Sequence, residues 1–145
     1  VIDWINKPFN PLRLTMAVNR AAALMRGGKP RILHVENDRI ILKLVSGLLR
    51  DIAEVVHAVT LHEAQQRLAQ DHFDLVILDL ILPDGPGLEV LPHLGIPAPP
   101  VIIFSTGDAP AELPRNIFGV LVKSRTTNET LLETIRAALR QAVVA

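Results

Sequence analysis

The feature that most constrains this chain is a continuous apolar run, Leu75–Leu78, which is followed at once by Asp79 and then by a turn. A β-prone run without alternation is typical of a central strand buried on both faces, as parallel sheets require. In open α/β sheets, ligands bind at the carboxyl ends of the strands. Pro83 and Gly87 predict a loop that can expose the carboxylate. Two interpretations stay open at this point: Asp79 is a functional acid at a strand end, or it only caps a turn.

Three other apolar runs also end in polar residues. They are Ile32–Val35 before Glu36, Asn37 and Asp38, Val101–Phe104 before Ser105, and Phe118–Val122 before Lys123. If all four strands are parallel, these groups converge at one edge of the sheet. Carboxylate oxygens suit a hard cation such as Mg²⁺, whereas an ammonium and a hydroxyl suit phosphate oxygens. The pattern therefore favours a site for a cation and a phosphoryl group.

Helix signals alternate with the strand signals along the chain. Asp38 is a good N-cap for a first helix, and the capping-box patterns Thr60–Glu63 and Thr126–Glu129 open two more. Pro92 predicts a short or kinked third helix, because proline removes a backbone donor and clashes with the preceding turn. A strand over about residues 54 to 59 completes the alternation. The order predicts an α/β fold with a doubly wound, five-stranded parallel sheet.

The order of these motifs over about residues 30 to 143 resembles the receiver domain of two-component response regulators, a flavodoxin-like three-layer sandwich. The resemblance rests on the acidic cluster, the Asp79-x-x-x-Pro83-x-x-x-Gly87 spacing, Ser105 and Lys123. It implies that Asp79 takes a phosphoryl group from the phosphohistidine of a sensor histidine kinase or phosphotransfer protein. It also implies the roles of the neighbouring groups: Mg²⁺ is held by Glu36, Asn37, Asp79 and the backbone carbonyl of Ile81, and the phosphoryl oxygens by Ser105 and Lys123.

The chain departs from the family's pattern at several positions. Asn37 stands where the family usually has a second acid, so we expect weaker Mg²⁺ binding. Ser124 replaces the proline that normally follows the lysine, which predicts a trans turn and a displaced Lys123. Val120 occupies the position of an aromatic switch. Only 17 residues separate Ser105 from Lys123, about one helical turn fewer than the family expects, so we expect a shortened fourth helix.

These departures keep two alternatives open. One is a degenerate receiver that acts as a phosphorylation-independent interaction module. The other is a small aspartyl-phosphate hydrolase, which would need a second acid two residues after the nucleophile, where this chain has Ile81. We expect a phosphoacceptor signalling module rather than a turnover enzyme.

The composition of the chain limits the classes of partner and the cellular compartment that we expect. The 145 residues are 49% hydrophobic and can bury one sizeable core, and the absence of cysteine excludes disulfides and thiolate metal sites. A net charge of zero and 3% aromatic residues argue against direct nucleic-acid binding. No apolar run reaches membrane-spanning length. We therefore expect a cytoplasmic domain that binds other proteins, with a homodimer as a possible state.

The first 29 residues differ from the rest. They carry five basic residues and one acidic residue, and Gly27-Gly28 marks a boundary. A shift of 116 positions places Lys7 on Lys123, with an apolar strand before each lysine and a helix after it. We therefore interpret residues 1–29 as an extension left from an upstream receiver, and residues 30–145 as the receiver domain. The alternative is an unrelated N-terminal helix, Pro11–Met25, packed on the domain.

Overall fold

The computed structural model describes residues 28–107 and 109–144. Five strands form one sheet: β1 (Arg31–Val35), β2 (Glu54–Ala58), β3 (Leu75–Leu78), β4 (Val101–Ser105) and β5 (Ile117–Val122). Their spatial order is β2-β1-β3-β4-β5, and every neighbouring pair is parallel. The order reverses beside β1, which is the doubly wound arrangement, so the predicted sheet is confirmed. The predicted N-terminal helical extension lies outside the described residues.

Three α-helices and a 3-10 helix cover the two faces of the sheet. They are α1 (Arg39–Leu48), α2 (Leu61–Gln70), a 3-10 helix at Gly87–His93 and α3 (Asn128–Val144), and a second, shorter 3-10 helix follows β5 at Lys123–Arg125. The Asp38 side chain accepts the N–H of Ile40 at 2.9 Å, and the Thr60 hydroxyl accepts that of Glu63 at 3.0 Å, so these two predicted N-caps are present. The third predicted cap, Thr126, is wrong by one residue, because the Thr127 hydroxyl accepts the Thr130 N–H at 3.1 Å, whereas Thr126 donates to the carbonyl of Val122. Pro92 lies inside the 3-10 helix, which confirms that the third helix is short. None of the helices in the described ranges is long and apolar enough to cross a bilayer.

Two apolar layers lie on opposite faces of the sheet. On one face α1 and α3 pack against the strands, and its core includes Ile32, Leu49, Ile77, Ile102, Leu131 and Ile135. On the other face α2 and the 3-10 helix pack, and its core includes Leu33, Leu61, Phe73, Val76, Leu78 and Val90. Strand β3 is buried on both faces, as its unbroken apolar sequence predicts. The fold is the predicted three-layer sandwich.

The described residues of the connection from β4 to β5 form no helix. Residues 106–107 and 109–116 form turns and irregular backbone in the part of this connection that the structure describes. Pro110 and Pro114 lie in it, and proline cannot donate the hydrogen bonds that a helix interior requires. Val120 of β5, in register with Ile103 of β4, is 38% exposed. The sequence predicted a shortened fourth helix, but the described residues of this connection form no helix.

Candidate functional site

The carboxyl edge of the sheet carries a buried acidic residue at its centre. Asp79 follows β3 directly, is 6% exposed, and is held by a backbone hydrogen bond from its N–H to the carbonyl of Val35 at 3.0 Å. The Ser105 hydroxyl donates to Asp79 Oδ1 at 2.7 Å, and the Ile81 N–H donates to the same oxygen at 3.2 Å. Lys123 Nζ donates to Oδ2 at 3.1 Å. Both carboxylate oxygens therefore have donors from neighbouring elements.

A second buried carboxylate shares the lysine. Glu36 follows β1, is fully buried, and pairs with Lys123 at 2.5 Å between Oε1 and Nζ. Its other oxygen accepts the Asp38 N–H at 3.1 Å. The Lys123 side chain is 12% exposed, so one nearly buried ammonium neutralises part of the charge of two carboxylates. Because both acids contact one ammonium, their oxygens face a common point.

Burial and pairing act in opposite directions on the three charged groups. Burial raises the pKa of Glu36, and although Lys123 and the Asp38 N–H oppose this effect, the pKa stays above its ordinary value. Burial also acts to raise the pKa of Asp79, but the hydrogen bonds from Ser105 and Ile81 outweigh it, and the pKa lies below the ordinary value. Burial acts to lower the pKa of Lys123, but Glu36 and Asp79 raise it overall. At neutral pH Asp79 is thus an ionised carboxylate beside a protonated lysine.

The loop after Asp79 is tightly folded. Residues Ile81–Leu82 and Gly85–Pro86 form a short antiparallel ladder, and the Gly87 N–H donates to the carbonyl of Leu80 at 2.8 Å. A Cβ on Gly87 would lie 1.9 Å from the backbone oxygen of Asp79, so only glycine fits there. The Asp79-to-Gly87 spacing therefore has a steric reason, because the two backbones touch.

The remaining predicted residues lie around this centre. Asn37 is exposed and sits next to Glu36, whereas Asp38 caps α1. Ile81 is 67% exposed. The peptide bond after Lys123 is not cis, as Ser124 predicts, but the expected displacement of Lys123 is wrong, because its ammonium reaches both carboxylates. With the short 3-10 helix that begins at Lys123, the lysine backbone lies close enough for its side chain to reach both carboxylates.

The donor set fits a hard divalent cation. Glu36 and Asp79 supply carboxylate oxygens that already converge on one cationic group, and Asn37 offers an amide oxygen nearby in sequence. Mg²⁺ in proteins commonly uses one or two carboxylates and keeps several waters. Within the described ranges, no group of three or more His, Cys, Asp or Glu side chains gathers as a metal site, so this site has two carboxylates without a third such ligand and no competing group of that kind.

Two residues near the site were not used by the sequence analysis. His34 of β1 is 1% exposed, and burial, followed by the charges of His57 and Lys123, lowers its pKa to about 3. It is therefore neutral and adds no charge to the site. Asp84 binds two backbone N–H groups of α2, and no local sequence signal predicts this partner because it lies more than 20 residues away.

Comparisons with known proteins point to one family. The family model described as the response regulator receiver domain matches residues 32–136. The two-component response regulator ARR12 of Arabidopsis thaliana is 35% identical over 86 residues, which are 55% of this chain and 14% of that protein. The match thus spans about a seventh of that relative.

Solved structures give the same result. A CheY-like response regulator receiver domain protein from Methanospirillum hungatei is 25% identical, with a TM-score of 0.69 over 79% of this chain and 97% of that one. A signal receiver domain of an HD domain-containing protein from Pseudomonas fluorescens is 29% identical, with a TM-score of 0.66 over the same shares. From the family match, the shared fold and the site at the carboxyl edge of the sheet, this chain belongs to the response regulator receiver domain family.

Proposed function

We propose that this chain accepts a phosphoryl group on Asp79 from a phosphohistidine of a sensor histidine kinase or a phosphotransfer protein. One observation carries the proposal. The Asp79 carboxylate lies at the carboxyl edge of the sheet and is contacted by a hydroxyl and an ammonium that can bind phosphoryl oxygens. The chain is then a signalling module, and Asp79 is both nucleophile and product.

The transfer exchanges one bond for another. An Asp79 carboxylate oxygen forms a bond to phosphorus, the N–P bond of the donor phosphohistidine breaks, and its electron pair returns to the imidazole nitrogen. Lys123 and Ser105, which now contact Asp79, donate to the oxygens of the transferred group as charge spreads over them. Because both side chains already lie beside Asp79 before the transfer, the site needs little reorganisation to stabilise the transferred group.

Mg²⁺ would be held by Glu36, Asp79, Asn37 and the backbone carbonyl of Ile81. When bound, the cation supplies charge neutralisation for the phosphoryl oxygens. Lys123 lies between the same two carboxylates, so we expect its ammonium to turn from Glu36 toward the phosphoryl group when the cation binds.

The second candidate function is a phosphorylation-independent interaction module. It is favoured by the neutral, exposed Asn37 in place of an acid and by the helix-free connection before β5. The hydrolase alternative lacks a group for its chemistry, since the acid/base position carries the exposed Ile81.

Labelling separates these functions. The wild-type chain is incubated with acetyl phosphate and Mg²⁺, and acid-labile phosphate on the protein is measured. We expect stoichiometric labelling of the wild type and none of Asp79→Asn. Asp51→Asn makes the same chemical change at an exposed position before β2, at the opposite edge of the sheet, and should label like the wild type. Equal labelling of Asp79→Asn would refute the assignment, and an unlabelled wild type would favour the interaction module.

A further inference from the structure

The N-terminus of α2 is capped by two different segments of the chain. The Ala64 N–H makes the first bond within the helix, to the backbone carbonyl of Thr60 at 3.1 Å, and the Glu63 N–H donates to the Thr60 hydroxyl at 3.0 Å. The N–H groups of Leu61 and His62 donate to Asp84 Oδ1 at 2.7 Å and Oδ2 at 2.9 Å. The first three residues of α2, whose N–H groups have no partner within the helix, therefore all have side-chain acceptors.

Asp84 belongs to the loop that carries the acceptor residue. It lies between the two short strands Ile81–Leu82 and Gly85–Pro86, at the tip of the ladder that follows Asp79. Gly85 adopts a φ of +154°, and a Cβ placed there would lie 3.1 Å from Leu61 Cδ2. The loop tip is thus pressed against the first residue of α2 as well as hydrogen-bonded to it.

The contact is favourable by charge as well as by geometry. A carboxylate at a helix N-terminus interacts well with the positive end of the helix dipole. Hydrogen bonds from the His62 and Leu61 N–H groups hold the pKa of Asp84 below its ordinary value, so the side chain is ionised at neutral pH. Both carboxylate oxygens of Asp84 accept N–H groups of α2, so this side chain tethers the loop to the helix.

We propose that Asp84 is a positioning residue for the phosphoryl-accepting site. By tying the loop tip to α2, Asp84 fixes Ile81, which lies three residues earlier in the chain. The Ile81 N–H donates to Asp79 Oδ1 at 3.2 Å. Release of the tip lets the Ile81 peptide move, and with it the orientation of the Asp79 carboxylate and the carbonyl offered to the cation. The inference rests on the proposed function for its effect on phosphorylation, but its structural part does not depend on it.

Thr60→Ala provides a matched control. It removes a side-chain cap from the same helix end, but Thr60 does not belong to the loop. The test compares Asp84→Ala, Asp84→Asn and Thr60→Ala for thermal midpoint, rate of labelling by acetyl phosphate at saturating Mg²⁺, and amide hydrogen exchange at Ile81 and Gly87. Both alanine variants should lower the thermal midpoint, since both lose a cap.

The expected difference lies in the site. Asp84→Ala should slow labelling by about tenfold, the usual scale for loss of a group that orients a site residue, and speed exchange at Ile81 and Gly87. Asp84→Asn keeps one acceptor oxygen and should restore part of the rate. Thr60→Ala should leave the rate and both exchange positions unchanged.

Equal slowing by Thr60→Ala and Asp84→Ala would overturn the inference, because the effect would then come from helix stability alone. If the wild-type chain takes no phosphoryl group, the proposed function fails instead, and hydrogen exchange alone decides the positioning role. In that case, unchanged exchange at Ile81 and Gly87 in Asp84→Ala would refute it.

Discussion

Asn37 is the residue at which the cation site differs most from a typical set of ligands. Its neutral side chain keeps an oxygen but removes a full charge beside the buried Glu36. At a partly screened site, that charge is worth on the order of 1 to 3 kcal/mol. Asn37→Asp should therefore tighten Mg²⁺ binding by about tenfold to hundredfold and speed labelling of Asp79, as measured by titration calorimetry and by acetyl phosphate.

Asn116→Asp is the control for that change, because Asn116 directly precedes β5 at the opposite edge of the sheet. It should leave Mg²⁺ affinity unchanged. If the wild-type chain binds Mg²⁺ as tightly as Asn37→Asp does, the argument from missing charge is wrong.

Gly87 makes a second prediction at the scale of one residue. A methyl group there must displace the backbone of Asp79, since it would lie 1.9 Å from the carbonyl oxygen. Gly87→Ala should lower the free energy of unfolding by about 2 to 3 kcal/mol and reduce labelling. Gly47→Ala is the matched control at an exposed position in the last turn of α1, where a Cβ would meet no atom within 4 Å, and it should raise stability by up to about 1 kcal/mol. Urea unfolding of both variants checks this, and equal stability of Gly87→Ala and the wild type would contradict it.

The residues of the site differ in how far the sequence could predict them. Glu36, Asp79, Ser105 and Lys123 each follow an apolar run, and parallel strands bring such residues to one edge. Asp84 also follows this run, but its partners Leu61 and His62 lie on another element, so spacing could not reveal its contact. The displacement of Lys123 that Ser124 predicted is wrong, because a flexible side chain can compensate for a changed turn.

At the scale of the element, α1 tests whether Asp38 is a cap or a cation ligand. Its side chain accepts the Ile40 N–H, which engages the carboxylate at the helix start. Asp38→Ala should cost about 1 kcal/mol of unfolding free energy, whereas Asp38→Asn should cost little because asparagine caps equally well. The Asp38→Asn substitution should change Mg²⁺ affinity less than the Asn37→Asp substitution does. A loss of Mg²⁺ binding in Asp38→Asn with unchanged stability would show that Asp38 is a ligand.

Helix α2 gives a prediction about pH. The folded-state pKa of Asp84 is lowered, so its carboxylate stabilises the fold above the ordinary aspartate pKa of about 3.9, and this contribution is lost as pH falls through the lower folded value. The urea midpoints of the wild type and Asp84→Asn should therefore differ at pH 7 and approach each other as the pH falls below that range. A gap that stays constant or widens in acid would contradict the tether.

The helices could be predicted from the sequence more completely than the connection between β4 and β5. Capping residues and hydrophobic periodicity located α1, α2 and α3, because these signals are local. Pro92 correctly predicted a short third helix, since the effect of proline on the backbone is also local. The number of residues between β4 and β5 predicted only a shortened helix, because length does not say whether tertiary packing stabilises the turns that remain.

At the scale of the whole molecule, alternation of strands and helices was enough to predict the doubly wound sheet. Two apolar layers cover opposite faces, and because every neighbouring pair of strands is parallel, the polar strand ends lie at the same edge. The described residues of the connection before β5 contain no helix, and the exposed Val120 stands where an aromatic switch was expected, so an aromatic rotamer switch cannot operate at this position. The origin of residues 1–29 as part of an upstream receiver stays a prediction.

The central claim is that one carboxylate, Asp79, becomes the acyl phosphate. After incubation with acetyl phosphate and Mg²⁺, borohydride reduces an aspartyl phosphate to homoserine, which peptide mass spectrometry locates in the sequence. The account predicts homoserine at position 79 alone, and none when Asp79→Asn is treated in the same way. Homoserine at another aspartate, reduction at Glu36, or no reduction in a chain that binds Mg²⁺ would contradict it.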